Sequence, residues 1–124
     1  MHKNVLYELD GHSALDLYKK YLGPLSEELP GSALLFPLSI TTEDRKTELV
    51  RTILSVDEDS QSMTFAGNLP EGSYARLMKS NSELLIDGAQ IAAKECIDTS
   101  LVNQRPDLSI MVSCVGRRIV LDQL

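Results

Sequence analysis

The segment Ser113-Cys114-Val115-Gly116-Arg117-Arg118 brings together the most reactive side-chain types in the chain. A thiol, a glycine and two guanidinium groups stand close together there. Nearby positive charge favours a thiolate. Backbone N–H groups beside Gly116 could join an arginine in gripping a carboxylate. The competing assignment makes Cys114 a small buried core residue and leaves the arginines solvated or ion-paired, and for Cys114 it is the preferred one. For Arg117 the two assignments balance, because Arg is the natural residue for carboxylate recognition. A cysteine hydrolase needs a base beside its thiol. The histidines are His2, near a terminus, and His12, in a turn before a helix. No third orienting residue suggests itself, so no catalytic residue is assigned and the chain is expected not to be an enzyme.

Arg51 lies mid-strand on a face shared with Leu49 and Ile53. An arginine on a core face is costly unless paired. It is either a ligand contact or a solvent-facing residue with its stem laid along the surface. The candidate ligand contacts are therefore Arg51, Cys114, Gly116 and Arg117. Arg117 or Arg51 would hold a carboxylate, and the backbone near Gly116 would complete the grip. The glycines are scattered, and neither GxGxxG nor GxxxxGK occurs. Asp57-Glu58-Asp59 is a hairpin tip without the glycine and terminal Glu of a calcium loop. No metal and no cofactor is assigned.

The elements that would position these residues must come from one domain, since the chain has 124 residues. A chain of this size buries roughly two-thirds of its unfolded surface. Aromatics make up 5%, and there is no Trp, so the core must be aliphatic. The net charge of −6 argues against a nucleic-acid surface and against an anionic membrane. Cys96 and Cys114 form neither a CxxC pair nor a metal-ligand spacing, and are read as two buried thiols in a reducing compartment. No signal peptide and no apolar run of about 20 residues is present, so a soluble cytoplasmic protein is expected.

Val5 to Leu9 reads as a strand, with a turn at Asp10-Gly11. Ser13 caps a helix whose face carries Ala14, Leu17, Tyr18 and Tyr21, and Gly23-Pro24 ends it. Leu25 to Pro30 suggests a helical turn, Ala33 to Phe36 a short buried strand, and Thr41 to Lys46 a loop. Leu49 to Val56 alternates as one strand, Ser62 to Ala66 returns antiparallel, and Ser73 to Met78 forms a third strand of a meander. A long helix follows, capped by Ser80 with Glu83 closing the box. Its apolar stripe is Leu85, Ile86, Ala89, Ala92, Ala93, Cys96 and Ile97. Gly88 inside it signals close packing or a tolerated defect. Gln104-Arg105-Pro106-Asp107 breaks the helix, and Leu108 to Cys114 reads as a central buried strand. The fold class is α+β: an antiparallel sheet covered by the Ser82–Leu101 helix, with the Ser13–Leu22 helix packing nearby.

The order of these segments resembles the FIST C-terminal domain. The likeness runs through Tyr7-Glu8-Leu9-Asp10-Gly11, Ala14-Leu15-Asp16-Leu17-Tyr18 and Tyr21-Leu22-Gly23. It continues through Val50-Arg51-Thr52-Ile53-Leu54, Leu69-Pro70-Glu71-Gly72-Ser73 and Ala75-Arg76-Leu77-Met78, and closes on Ser113 to Arg118. No single motif among them is specific; their order and spacing carry the likeness. The resemblance implies an intracellular sensory domain that binds a small ligand, an amino acid or related carboxylate. Bacterial members of the family work alone or joined to histidine kinases, chemotaxis receptors or cyclic-di-nucleotide enzymes. Family proteins carry an N-terminal FIST domain and continue past the Cys-x-Gly-Arg-Arg segment. The resemblance thus implies that residues 1–124 are part of a longer protein, and an uncovered sheet edge would invite a homodimer. Two other readings stand beside it. One is a protein–protein interaction module docking on a kinase or receptor partner. The other, implied by family members that bind haem and sense nitric oxide, would need His12 as axial ligand.

Overall fold

The computed structural model describes residues 4–42, 48–98 and 107–123. The chain divides into two units, Met1–Lys79 and Ser80–Leu124. The first holds all the described strands, and the fold class is α+β.

In the first unit the expected Val5–Leu9 strand is split at Tyr7. Strand β1 (Val5–Leu6) pairs with β7 (Ser62–Phe65), whereas β2 (Glu8–Leu9) pairs with β3 (His12–Ser13). The two-residue loop Asp10-Gly11 joins β2 to β3 with positive φ at both positions, 50° and 77°. That is the turn whose twist suits a tight hairpin, and an Asp-Gly pair supplies it. Helix α1 (Ala14–Leu22) starts as its sequence predicts: the Ser13 side chain accepts a hydrogen bond from the Asp16 N–H at 3.2 Å. It stops at Gly23, where φ is 59°. The buried face is turned by one residue from the expected one. Ala14, Leu15, Tyr18 and Leu22 are buried, Leu17 is half-buried and Tyr21 is exposed.

Short 3-10 turns follow at Gly23–Glu28 and Gly31–Leu34. The second replaces the strand expected over Ala33 to Phe36. The strand itself, β4 (Leu38–Thr41), begins only after Pro37, which has no N–H to give a ladder. β4 is the centre of the sheet β5-β4-β8, with β5 at Glu48–Arg51 and β8 at Tyr74–Leu77. Most of the loop expected over Thr41 to Lys46 lies outside the described residues.

The single strand expected over Leu49 to Val56 is two strands in two sheets. β5 ends at Arg51, and β6 (Ile53–Asp57) pairs with β7 in the sheet β1-β7-β6. Thr52 is the switch point, and its carbonyl accepts from the Ala66 N–H at 2.9 Å. Leu49, Arg51 and Ile53 keep to one side across the switch, but a bulge between Ile53 and Ser55 then breaks the alternation, leaving Ser55 exposed and Val56 packed against the core. The expected meander is likewise corrected: β8 pairs with β4 rather than with β7. Buried Ser39 donates to the Glu48 carboxylate at 2.5 Å, and Arg76 reaches the same oxygen at 2.9 Å, so β5, β4 and β8 are linked side by side. One core serves both sheets and α1. It contains Leu6, Leu15, Ile40, Ile53, Met63 and Phe65, each stabilising by about 1.5–3 kcal/mol on burial.

The second unit contains α2 (Ser82–Asp98) and α3 (Val115–Gln123). Asn81, not Ser80, caps α2: its side-chain oxygen accepts from the N–H groups of Glu83 and Leu84, at 2.8 and 3.3 Å. The helix break expected at 104–106 lies outside the described residues. Residues 108–114 form no strand. Met111 and Val112 are 91% and 93% exposed, and Leu108 and Ile110 are exposed beside them. An apolar run becomes a strand only where a neighbour takes its N–H and C=O groups, and none of the described strands pairs there.

Candidate functional site

The first unit carries a cleft of about 450 Å3, within the range that holds a small molecule. Leu9 and Asp10 reach it from the β2–β3 hairpin, Leu17, Tyr18 and Tyr21 from α1, and Leu38 from β4. Ser73, Tyr74, Ala75 and Leu77 line it from β8 and the residue before it. Each contribution has a local cause. The Asp10-Gly11 turn sets Asp10 at the hairpin tip. The one-residue rotation of α1 sends Tyr18 to the core and Tyr21 to the cleft, where it is 70% exposed. Edge position leaves all four residues of β8 exposed.

Three of the four tyrosines stand on this wall. The Tyr18 hydroxyl donates to the Phe36 carbonyl at 2.8 Å, which fixes the ring. Burial pushes its pKa up, so the phenol stays neutral. Among the described residues Asp10 is the one charged residue lining the cleft. None of these tyrosines was singled out as a ligand contact from the sequence. The available signal was that Tyr18 and Tyr21 fall three apart on an amphipathic helix, which reads equally well as core.

The residues picked from the sequence lie elsewhere, and in both units. In the first, Arg51 Nε donates to the Asn68 carbonyl at 3.0 Å and Nη1 to the Val50 carbonyl at 3.2 Å. Its side chain crosses Gly67 so closely that a methyl there would meet Nε at 3.0 Å. Arg51 thus fastens the 66–69 loop to the end of β5. In the second unit, Arg117 Nη1 donates to the Leu85 carbonyl at 2.5 Å and ties α3 to α2. A methyl on Gly88 would meet the same guanidinium at 3.9 Å, an ordinary contact, so packing does not require the glycine.

Cys114 and Gly116 are not at a strand end but at the start of α3. The Cys114 carbonyl accepts the Arg118 N–H at 3.3 Å. Both cysteines are exposed, against the expectation of two buried thiols, because the strand that would have buried Cys114 does not form. The N–H groups of Arg117 and then Gly116 point at the Cys114 sulfur and lower its pKa, with a smaller contribution from the Arg117 charge. His12 stands exposed on β3 and does not line the cleft. Among the described residues no cluster of three His, Cys, Asp or Glu is placed to hold a metal, and no helix is long and apolar enough to cross a membrane.

The first unit is thus an α+β unit with an open cleft lined by apolar and aromatic residues. The model of the FIST C domain matches residues 14–124, and the chain belongs to that family, a family of sensory domains in signal transduction. No curated protein and no solved structure matches the chain.

Proposed function

We propose that this chain is the ligand-binding part of a cytoplasmic sensory protein, and that its ligand is an amino acid or related metabolite seated in the tyrosine-lined cleft. The chain reports binding and catalyses nothing. It works with an N-terminal FIST domain and passes its signal to an output protein. The observation that carries this reading is the cleft itself: a concave surface with leucine and tyrosine among its lining residues and both polar and apolar groups, in a member of a sensory family.

Thermal-shift screening against the common amino acids tests it. Binding to the native state raises the melting temperature by mass action, about 2.7 kcal/mol of stabilisation at a hundredfold excess over Kd. Ala75 is exposed on β8 and lines the cleft, so Ala75→Trp fills the space while keeping a residue suited to a strand. The expected result is a shift in the wild type that Ala75→Trp abolishes. Equal shifts in both proteins would move the site away from the cleft.

The exposed run from Leu108 to Val112 favours a second reading, in which the chain docks on a protein partner. No shift with any amino acid, together with a partner captured by the full-length protein and released by Met111→Asp, would support it.

A further inference from the structure

If the cleft is the ligand site, its walls also say which end of the ligand is recognised; this step rests on the preceding reading. Leu9, Leu17, Leu38, Ala75 and Leu77 give the cleft an apolar lining, and Tyr18, Tyr21 and Tyr74 give it aromatic rings. The polar side chains added to these are Ser73 and Asp10, and neither Lys nor Arg lines it among the described residues. A carboxylate entering here would meet a like charge and no cation. An ammonium would meet an opposite charge and the negative faces of aromatic rings, which attract cations.

Asp10 is placed on a stiff support. It occupies the tip of a two-residue hairpin whose register is set by the pairs Glu8–Ser13 and Leu9–His12. Ser13 in turn caps α1, the helix that carries Leu17, Tyr18 and Tyr21 into the same wall. The carboxylate and the two helix tyrosines are therefore positioned by one continuous piece of structure. Tyr18 is a largely buried part of this wall, with its hydroxyl already committed to the Phe36 carbonyl. Arg51 and Arg117, the two arginines with which a carboxylate-first scheme would work, each donate to backbone carbonyls instead.

We infer that the cleft takes a small organic cation, a primary or quaternary amine on an apolar body, with its ammonium at Asp10 and its body among Tyr18, Tyr21 and Tyr74. The arrangement separates a metabolite that keeps a free amine from one that carries only a carboxylate.

Three probes of similar size test this by calorimetric titration of the chain: 2-phenylethylamine, phenyltrimethylammonium and 3-phenylpropanoate. Both cations are expected to bind, and 3-phenylpropanoate about tenfold or more weakly. Asp10→Asn removes the charge but keeps a residue that tolerates the positive φ of this turn. It should weaken both cations about three- to tenfold and leave 3-phenylpropanoate unchanged or improved. Tyr21→Ala should weaken all three. If 3-phenylpropanoate binds as tightly as the amines and Ala75→Trp abolishes it, the cleft stands as a site and the ammonium inference is overturned. Amine binding indifferent to Asp10→Asn overturns it as well. Binding that survives Ala75→Trp, or no binding by any probe or amino acid, overturns the reading of the cleft, and the inference goes with it.

Discussion

The two units use their helices in opposite ways. In the first, α1 buries Ala14, Leu15, Tyr18 and Leu22 in a core completed by two sheets. In the second, α2 leaves Leu84, Ile86, Ile91 and Ile97 exposed, and Val120 on α3 is the buried apolar residue among those described. The periodicity of α2 is as readable as that of α1. The difference lies in what receives the stripe. An apolar face stabilises only in proportion to the surface it removes from water. It follows that α1 stabilises the first unit by burial in its core, whereas among the described residues of the second unit these α2 side chains are not buried.

The sharpest test of this contrast is a pair of truncations. Phe65 is fully buried between the sheets and α1, so Phe65→Ala should cost about 3–5 kcal/mol in a urea unfolding experiment. Ile97→Ala on α2 should change the same quantity by less than about 0.5 kcal/mol, because it opens no cavity and Ala is the better helix former. A cost at Ile97 approaching that at Phe65 would erase the contrast and show that the α2 face is buried in solution.

A smaller effect separates the two arginines. Arg51→Ala removes the bond to the Asn68 carbonyl and should lower the stability of the first unit by about 1 kcal/mol. Amide exchange should speed up at residues 66–69. Arg117→Ala frees the Leu85 carbonyl and should speed exchange in α2 and α3 alone. Neither change should alter binding in the cleft. A loss of ligand affinity from either, with exchange rates unchanged, would return that arginine to the binding site.

Local signals carried well into the structure, and non-local ones did not. The Asp10-Gly11 turn, the Ser13 cap, the Gly23 stop and the β6–β7 hairpin are each specified by residues next to one another, and each stands where the sequence puts it. Thr52 is different. Alternation is legible from Leu49 to Ile53, but it reveals neither the change of partner strand from β4 to β7 nor the bulge after Ile53 that puts Val56, and not Ser55, against the core. β4 is illegible for a related reason: Leu38 to Thr41 is a short segment behind a proline, and its centrality comes from partners on two strands that follow later in the chain, β5 and β8. The cleft was illegible on the same grounds. Its walls come from a hairpin tip, one helix and an edge strand, and only the non-local pairing of β8 with β4 brings Tyr74 and Ala75 to Tyr21. The arginines drew attention by residue type, which does not reveal that a backbone carbonyl already occupies them.

The finest distinction between the units concerns a proton. Cys114 keeps the thiolate tendency expected from its sequence neighbours, but through another cause. The N–H groups of Arg117 and Gly116 at the start of α3 lower its pKa more than the arginine charge does. The sign follows directly: a lowered pKa means the thiolate is populated at a lower pH than in a free cysteine. Iodoacetamide should therefore alkylate Cys114 with a pH midpoint below that of a cysteine in an unstructured peptide. In urea, where α3 melts, the midpoint should return to the ordinary value. Arg117→Ala keeps the backbone N–H and removes the side-chain charge, so it should shift the midpoint only slightly. Arg117→Pro removes that N–H as well and should raise the midpoint further than Arg117→Ala. A large shift in the alanine variant would assign the effect to the guanidinium and make the positive charge, not the helix start, the feature that distinguishes this end of the chain.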